Sequence, residues 1–422
     1  MSHFKAWLHS HFPALASRDF AIFLSGQFVS VIGTWMQATA LPYLAYRISG
    51  RPFDLGLIGF ATTLPTLFFA LPAGVLVERW DKRKTVIILQ SIMGLQAFGL
   101  TYLAFFGHIQ IWQIVLLSAL FGTAVAVEVT ARQSMLIELT GRETLPSAIA
   151  LQTTAFNVGR VLGPLAAAGI IASTGGESAV FLVNGLSYIF VIAGLFMAQT
   201  RFREDKSHDE NQGMGSAFKE GIAYIRSNTS VMAPIIMSTL LGFFGIPLLQ
   251  QIPAFARDVL KTAMDTEAIV ATRTSNLFTA QGIGALVAAF MMAYLSSVNK
   301  NKILLYGQIA FTIPVILLGL STNMKLSLLL LVFIGWGTVA QLISNNIIIQ
   351  MRVPNELRGR VFSIYFWTLQ GVAPFGSIVI GWVAQTWSVK AATVMGGFIC
   401  LIGFSMARLL FKRKATLPLK RK

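Results

Sequence analysis

Residues 200–230, TRFREDKSHDENQGMGSAFKEGIAYIRSNTS, form the longest polar run in the chain and divide it in two. The first part, REDKSHDENQG, reads as a flexible linker. Beyond it Phe218, Ile222 and Ile225 recur at helical spacing and predict a surface helix. On each side of this run lie six apolar stretches, broken by short polar, Gly- or Pro-containing links. They predict helices at approximately 20–47, 55–77, 85–106, 111–137, 147–172, 179–199, 230–255, 271–296, 303–321, 326–350, 361–385 and 390–411. A helix needs about 20 apolar residues to cross a bilayer, and 422 residues hold twelve such spans with chain left over. Composition agrees: 55% of residues are hydrophobic and only 12% are charged, with a mean hydropathy of +0.68. A soluble domain carries about 25% charged residues, so a soluble enzyme is excluded. The fold class expected is an all-α polytopic membrane protein. Its expected parts are an amphipathic N-terminal segment (1–17), a six-helix bundle (18–200), a cytoplasmic linker (201–229), a second six-helix bundle (230–411) and a basic tail (412–422).

The formal net charge of +16 invites a nucleic-acid reading, which the placement of the charges removes. Lys82, Arg83, Lys84, Arg201, Arg203, Lys206, Lys300, Lys302, Arg358, Arg360 and the tail all lie on the side of the termini. The opposite side has only Arg47, Arg51, Arg257, Lys261, Lys325 and Lys390. This positive-inside asymmetry predicts both termini in the cytoplasm, with the excess charge meeting anionic lipid and no nucleic acid as partner. The first residues, MSHFKAWLHSHFPALASR, lack the apolar run and cleavage site of a signal peptide. Phe4, Trp7, Leu8 and Phe12 fit a helix lying on the membrane surface instead. Cys400 is the single cysteine, which excludes a disulfide framework. His3, His9 and His11 have no acidic or thiol companions nearby, so no metal is expected. Gly282-Ile-Gly284 follows no strand, and no phosphate-binding loop or hydrolase constellation is present, so no cofactor and no enzyme activity are expected.

The two halves echo each other. The fourth span ends in LTGRETLP before a fifth containing Gly-Pro, and the tenth ends in RVPNELRGR before an eleventh containing Ala-Pro. Repeated six-span halves are a transporter arrangement. After the second span comes Gly74-Val-Leu76-Val-Glu78-Arg79-Trp-Asp81-Lys82-Arg83-Lys84, which resembles the signature loop of the major facilitator superfamily, with Glu78 in place of the usual Asp. The fifth span carries Asn157-Val-Gly159-Arg160-Val-Leu-Gly163-Pro164. It resembles the antiporter motif of facilitator exporters, with Ala167 and Ala168 where a glycine pair is usual. FLSGQFVSVIGTWMQ, VEVTARQSMLIELTGRETLPSAIALQ and VPNELRGRVFS look like the bacterial branch of enterobactin-exporter-like and macrolide-efflux-type permeases. The resemblance covers nearly the whole chain. It implies a major facilitator fold in the bacterial inner membrane, a monomer, and proton-driven export of a drug-like or siderophore-like small molecule by alternating access. It also implies that Gly74, Leu76, Glu78, Arg79, Lys82 and Arg83 gate the cytoplasmic side; for the basic residues, orientation alone is an equal reading.

Glu128 and Arg132 lie four apart on the fourth span, in the favourable order for an ion pair. Arg160 is a third candidate for that cluster. A carboxyl in low dielectric beside an arginine can exchange a proton as its partner moves, so the three are proton-coupling candidates; a permanent structural salt bridge is the competing reading. Polar and aromatic residues expected to line a cargo cavity are Gln27, Thr34, Gln37, Phe156, Asn157, Gln250, Gln281, Trp336, Gln341, Asn345, Trp367 and Gln370. Each amide reads equally as an interhelical hydrogen bond. Other functional readings are a lipid or lysophospholipid flippase, a proton-independent uniporter, and a membrane-embedded enzyme or receptor without transport.

Overall fold

The computed structural model describes residues 12–198, 214–294 and 298–415, so the proposed surface segment around Phe4 and Trp7 lies outside the described residues. Eleven helical stretches among them are long and apolar enough to cross a membrane. In hydrocarbon every backbone N–H and C=O must be satisfied within the segment, which leaves a helix as the available solution for an open chain. The spanning helices are α1 (Arg18–Ser49), α2 (Pro52–Arg79), α3 (Lys82–Phe105), α4 (111–140), α5 (142–174), α6 (Ser178–Met197), α7 (Thr229–Gln250), α8 (Glu267–Tyr294), α9 (Lys300–Leu320), α10 (Met324–Arg352), α11 (Asn355–Gln370 continued by Ala373–Thr386) and α12 (Val389–Ala415).

Helices α4 and α5 form one continuous stretch, Ile111–Thr174, interrupted at Gly141, where φ is 77° and ψ 168°. That conformation is open essentially to glycine alone, so LTGRETLP turns the chain with a single residue. In α7 the seam is different: a π-helical turn, Leu241–Gly245, precedes Pro247. Insertion of one extra residue into a helix accommodates a proline whose ring would clash with the preceding turn.

The described residues group into two compact units. One draws on Met1–Ser49, Leu64–Ser207 and Thr266–Thr279; the other on Gly50–Thr63, His208–Asp265 and Ala280–Lys422. Helices α2 and α8 therefore each contribute to both units. In the first unit, α5 lies against α1 through small residues: a Cβ on Gly159 would sit 2.6 Å from Val31 Cγ1, and one on Gly163 would collide with Trp35 Cβ. Phe20, Phe23, Val86, Met135, Leu136, Val191 and Leu195 form a buried core in the same unit. In the second unit the linker helix Met214–Ser227 is docked rather than free. Its Phe218, Ile222 and Ile225 join a core with Val231, Ile349, Val361 and Ile364, Glu220 pairs with Arg360, and Tyr224 donates to the Arg352 carbonyl at 3.2 Å.

Candidate functional site

The first unit holds a buried polar layer. Glu128, 4% exposed, receives Arg132 Nε at 3.0 Å on Oε1 and Gln90 Nε2 at 2.9 Å on the same oxygen. The pair on α4 follows from i,i+4 helical geometry; the amide comes from α3. One guanidinium and one amide hold the carboxylate in a site with almost no solvent. Further along α3, Gln96 accepts from Gln37 Nε2 at 3.1 Å, and Gln37 Oε1 accepts from Asn184 Nδ2 at 2.9 Å. Ser187 donates to the Asn184 carbonyl at 2.7 Å, and Thr34 shares a hydrogen bond of 3.2 Å with Tyr188. Spans one, three and six are thus tied by hydrogen-bonded side chains in the interior. Sequence reasoning missed Gln90, Gln96, Asn184 and Tyr188. The signal was present, as amides and a tyrosine inside otherwise apolar spans.

Arg160 does not join Glu128 and Arg132. Its guanidinium carbon stands 5.3 Å from the centre of the Trp35 ring, and Trp35 meets Phe156 edge to face at 5.4 Å. Phe156 is 49% exposed. Asn157 turns back on its own helix, donating to the Thr153 carbonyl at 2.9 Å, and Gln27 Oε1 is buried without a partner among the described residues.

In the second unit Gln341 and Asn345 are fully buried. Gln341 Nε2 donates to the Gly307 carbonyl at 3.2 Å and Asn345 Nδ2 to Ser238 Oγ at 2.9 Å, while the oxygen of each amide lacks a partner among the described residues. Gln281 is buried with an unpartnered Nε2, and Gln250 has an unpartnered Oε1. Trp336 donates to Met291 sulfur at 3.3 Å. Trp367 packs edge to face on Phe218 of the linker helix, 6.2 Å between centres, and Gln370 is half-buried. A cavity of about 140 Å³ in this unit is lined by Ala233, Pro234, Met237, Leu304, Ile348 and Arg408; the residues singled out from sequence do not line it.

Of the signature loop, residues 74–79 lie in the last turns of α2, and the side chains of Gly74, Leu76, Glu78 and Arg79 lie outside the described residues. Asp81 caps α3 by accepting from the Lys84 backbone N–H at 2.9 Å. Lys82 pairs with Glu138 at 2.7 Å, and Arg83 donates to the carbonyls of Leu195 and Phe196 at 2.6 and 2.9 Å. The arginine thereby satisfies carbonyls that a helix end leaves open. Both basic residues fasten α3 to neighbouring helices of the first unit.

Comparison with known proteins gives this arrangement a context. The family profile described as transmembrane secretion effector matches residues 9–417. A staphyloferrin A transporter of Staphylococcus aureus is 24% identical, over 94% of this chain and 97% of its own. The multidrug efflux pump Tap of Mycolicibacterium fortuitum is 23% identical over 85% and 87%, and the enterobactin exporter EntS of Citrobacter koseri is 24% identical over 92% and 91%. Among solved structures, the nucleoside transporter NupG superposes with a TM-score of 0.72 at 12% identity, covering 94% of this chain and 99% of that one. A bacterial homologue of the human lysosomal transporter Spinster gives 0.68 at 14% identity, over 93% and 96%. These two likenesses establish the major facilitator fold, and the relatives are membrane transporters, not enzymes. By the profile match over nearly its whole length, the chain belongs to the transmembrane secretion effector family of major facilitator transporters, and is a multi-pass secondary transporter of small molecules.

Proposed function

We propose that this transporter exports an amphipathic small molecule, drug-like or siderophore-like, from the cytoplasm across the bacterial inner membrane, driven by protons and by alternating access. The observation that carries the coupling is Glu128, a carboxylate buried inside a span and held by Arg132 and Gln90. In this reading, movement of the Arg132 guanidinium away from the carboxyl group and back is the step coupled to proton uptake and release. Glu128 is the carrier in this reading and Arg132 its control. The loop from Gly74 to Arg83 acts as the gate, and both termini face the cytoplasm, an orientation that the distribution of basic residues supports. Export of siderophores or drugs by relatives supports the direction and the cargo class.

The test is flux in proteoliposomes under an imposed pH gradient, with a panel of dyes, macrolides, catechol siderophores and lysolipids. Gradient-dependent flux that Glu128→Gln abolishes, with the variant folded, is expected. Flux indifferent to the gradient points to a uniporter or flippase, and wild-type flux in the variant removes Glu128 from the mechanism.

A further inference from the structure

We infer that Arg160 and Trp35 form a recognition site for an oxyanion, a carboxylate or catecholate, carried on an aromatic or amphipathic cargo. This rests on reading the chain as a small-molecule transporter and adds the charge of what it takes.

Most cations of the first unit named above have a partner. Arg132 has Glu128, Arg47 has a two-point contact to Glu177 at 2.9 and 2.8 Å, Lys82 has Glu138, and Arg83 has two backbone carbonyls. Arg160 differs from all of these. Its Nε is buried with no hydrogen-bond partner among the described residues, and its guanidinium lies over the Trp35 ring. A guanidinium has five N–H donors in a fixed fork and does not lose its charge in proteins. Ionisable residues inside a span are costly and normally pair. The face of Trp35 at 5.3 Å recovers part of that cost through the ring quadrupole, but a ring offers no acceptor to the N–H groups in the guanidinium plane. What is missing is a planar oxyanion, the shape that this fork matches with two parallel hydrogen bonds.

The surroundings select the body attached to that anion. Gly159 and Gly163 bring α5 so close to α1 that Trp35 lies directly against the α5 backbone, which fixes the indole that Arg160 stacks on. One turn earlier Phe156 meets the same indole and leaves half its surface uncovered. A flat aromatic or apolar group can rest on Phe156 while its oxyanion meets Arg160. A cation presented there meets like charge instead, so the site favours anionic over cationic amphiphiles.

The test uses three fluorescent probes with one body and different charge: pyrenebutyrate, its amide, and the corresponding amine. Binding to the purified full-length protein is measured in phosphatidylcholine nanodiscs with no gradient, so failure of proton coupling leaves the measurement intact. Wild type is expected to hold the carboxylate more tightly than the amide by on the order of ten- to a hundredfold, the value of hydrogen bonds to a charged group, and the amine weakest of all. Arg160→Gln should remove that preference, with the melting temperature unchanged or higher. Arg160→Lys keeps the charge but not the fork, and should keep a reduced preference; it decides the matter if Arg160→Gln does not fold. An unchanged order of the three probes in both variants would overturn the inference. So would loss of carboxylate binding when phosphatidylglycerol is added to the discs, since the anion would then be a lipid headgroup.

Discussion

Removing Arg132 while Glu128 remains leaves a buried carboxylate with only the Gln90 amide beside it. Breaking one side of a buried pair costs about 3–5 kcal/mol, so Arg132→Gln should destabilise the protein by that order, while Glu128→Gln/Arg132→Gln together should cost less. Thermal denaturation of the three proteins in one detergent measures this. An Arg132→Gln variant as stable as the double one would mean that Arg132 does not stabilise the buried carboxyl group. The sequence made the Glu128–Arg132 contact visible because helical spacing alone brings i and i+4 together. The Gln90 contact comes from 38 residues away and depends on how α3 is rotated against α4, which spacing does not encode. The same holds for Gln37: its place on α1 was readable, but its partners Gln96 and Asn184 are 59 and 147 residues distant. An amide in an apolar span fits a cavity wall and an interhelical bond equally well until its neighbours are known.

At the scale of elements, Gly141 joins α4 to α5 in a conformation that a side chain resists. Gly141→Ala should destabilise by about 1–3 kcal/mol, read as a lower melting temperature, whereas Gly169→Ala on α5, where an added Cβ meets nothing within 4 Å, should be neutral or slightly favourable. Equal loss in both would refute a conformational origin. The spans were legible because a bilayer demands long apolar helices and the links between them break hydrophobicity sharply. The helix Met214–Ser227 was legible from three apolar residues at helical spacing; its partner was not, since an apolar stripe says that something covers it without saying what. Trp367 illustrates the difficulty. On sequence it reads as a cavity wall, and in the structure it rests on Phe218, a contact across 149 residues that follows only from the docking of the linker helix.

For the molecule as a whole, the two units meet within the polar run, between Ser207 and His208, and each half of the sequence also gives one segment to the other's unit. Residues Gly50–Thr63 of α2 belong with the second unit and Thr266–Thr279 of α8 with the first. Tyr43 donates to the carbonyl of Glu267 at 2.8 Å and to its Oε2 at 2.9 Å; Gln251 Nε2 donates to the Pro52 carbonyl at 3.3 Å. Cutting the gene within the linker would therefore give two fragments, each lacking a segment of its own unit. Expressed alone, each fragment should be degraded or aggregate; expressed together, they should copurify and regain flux. A fragment that is stable and monomeric by itself would show that the exchanged segments contribute little. The exchange also has a consequence in time. Glu267 is translated 224 residues after Tyr43, a delay of about 11 to 45 s at synthesis rates of 5–20 residues per second. Only in the last part of that interval, after α6 ends at Met197, are the first six helices complete and still without their last segment, so the nascent protein is most exposed to quality control just before α8 is inserted.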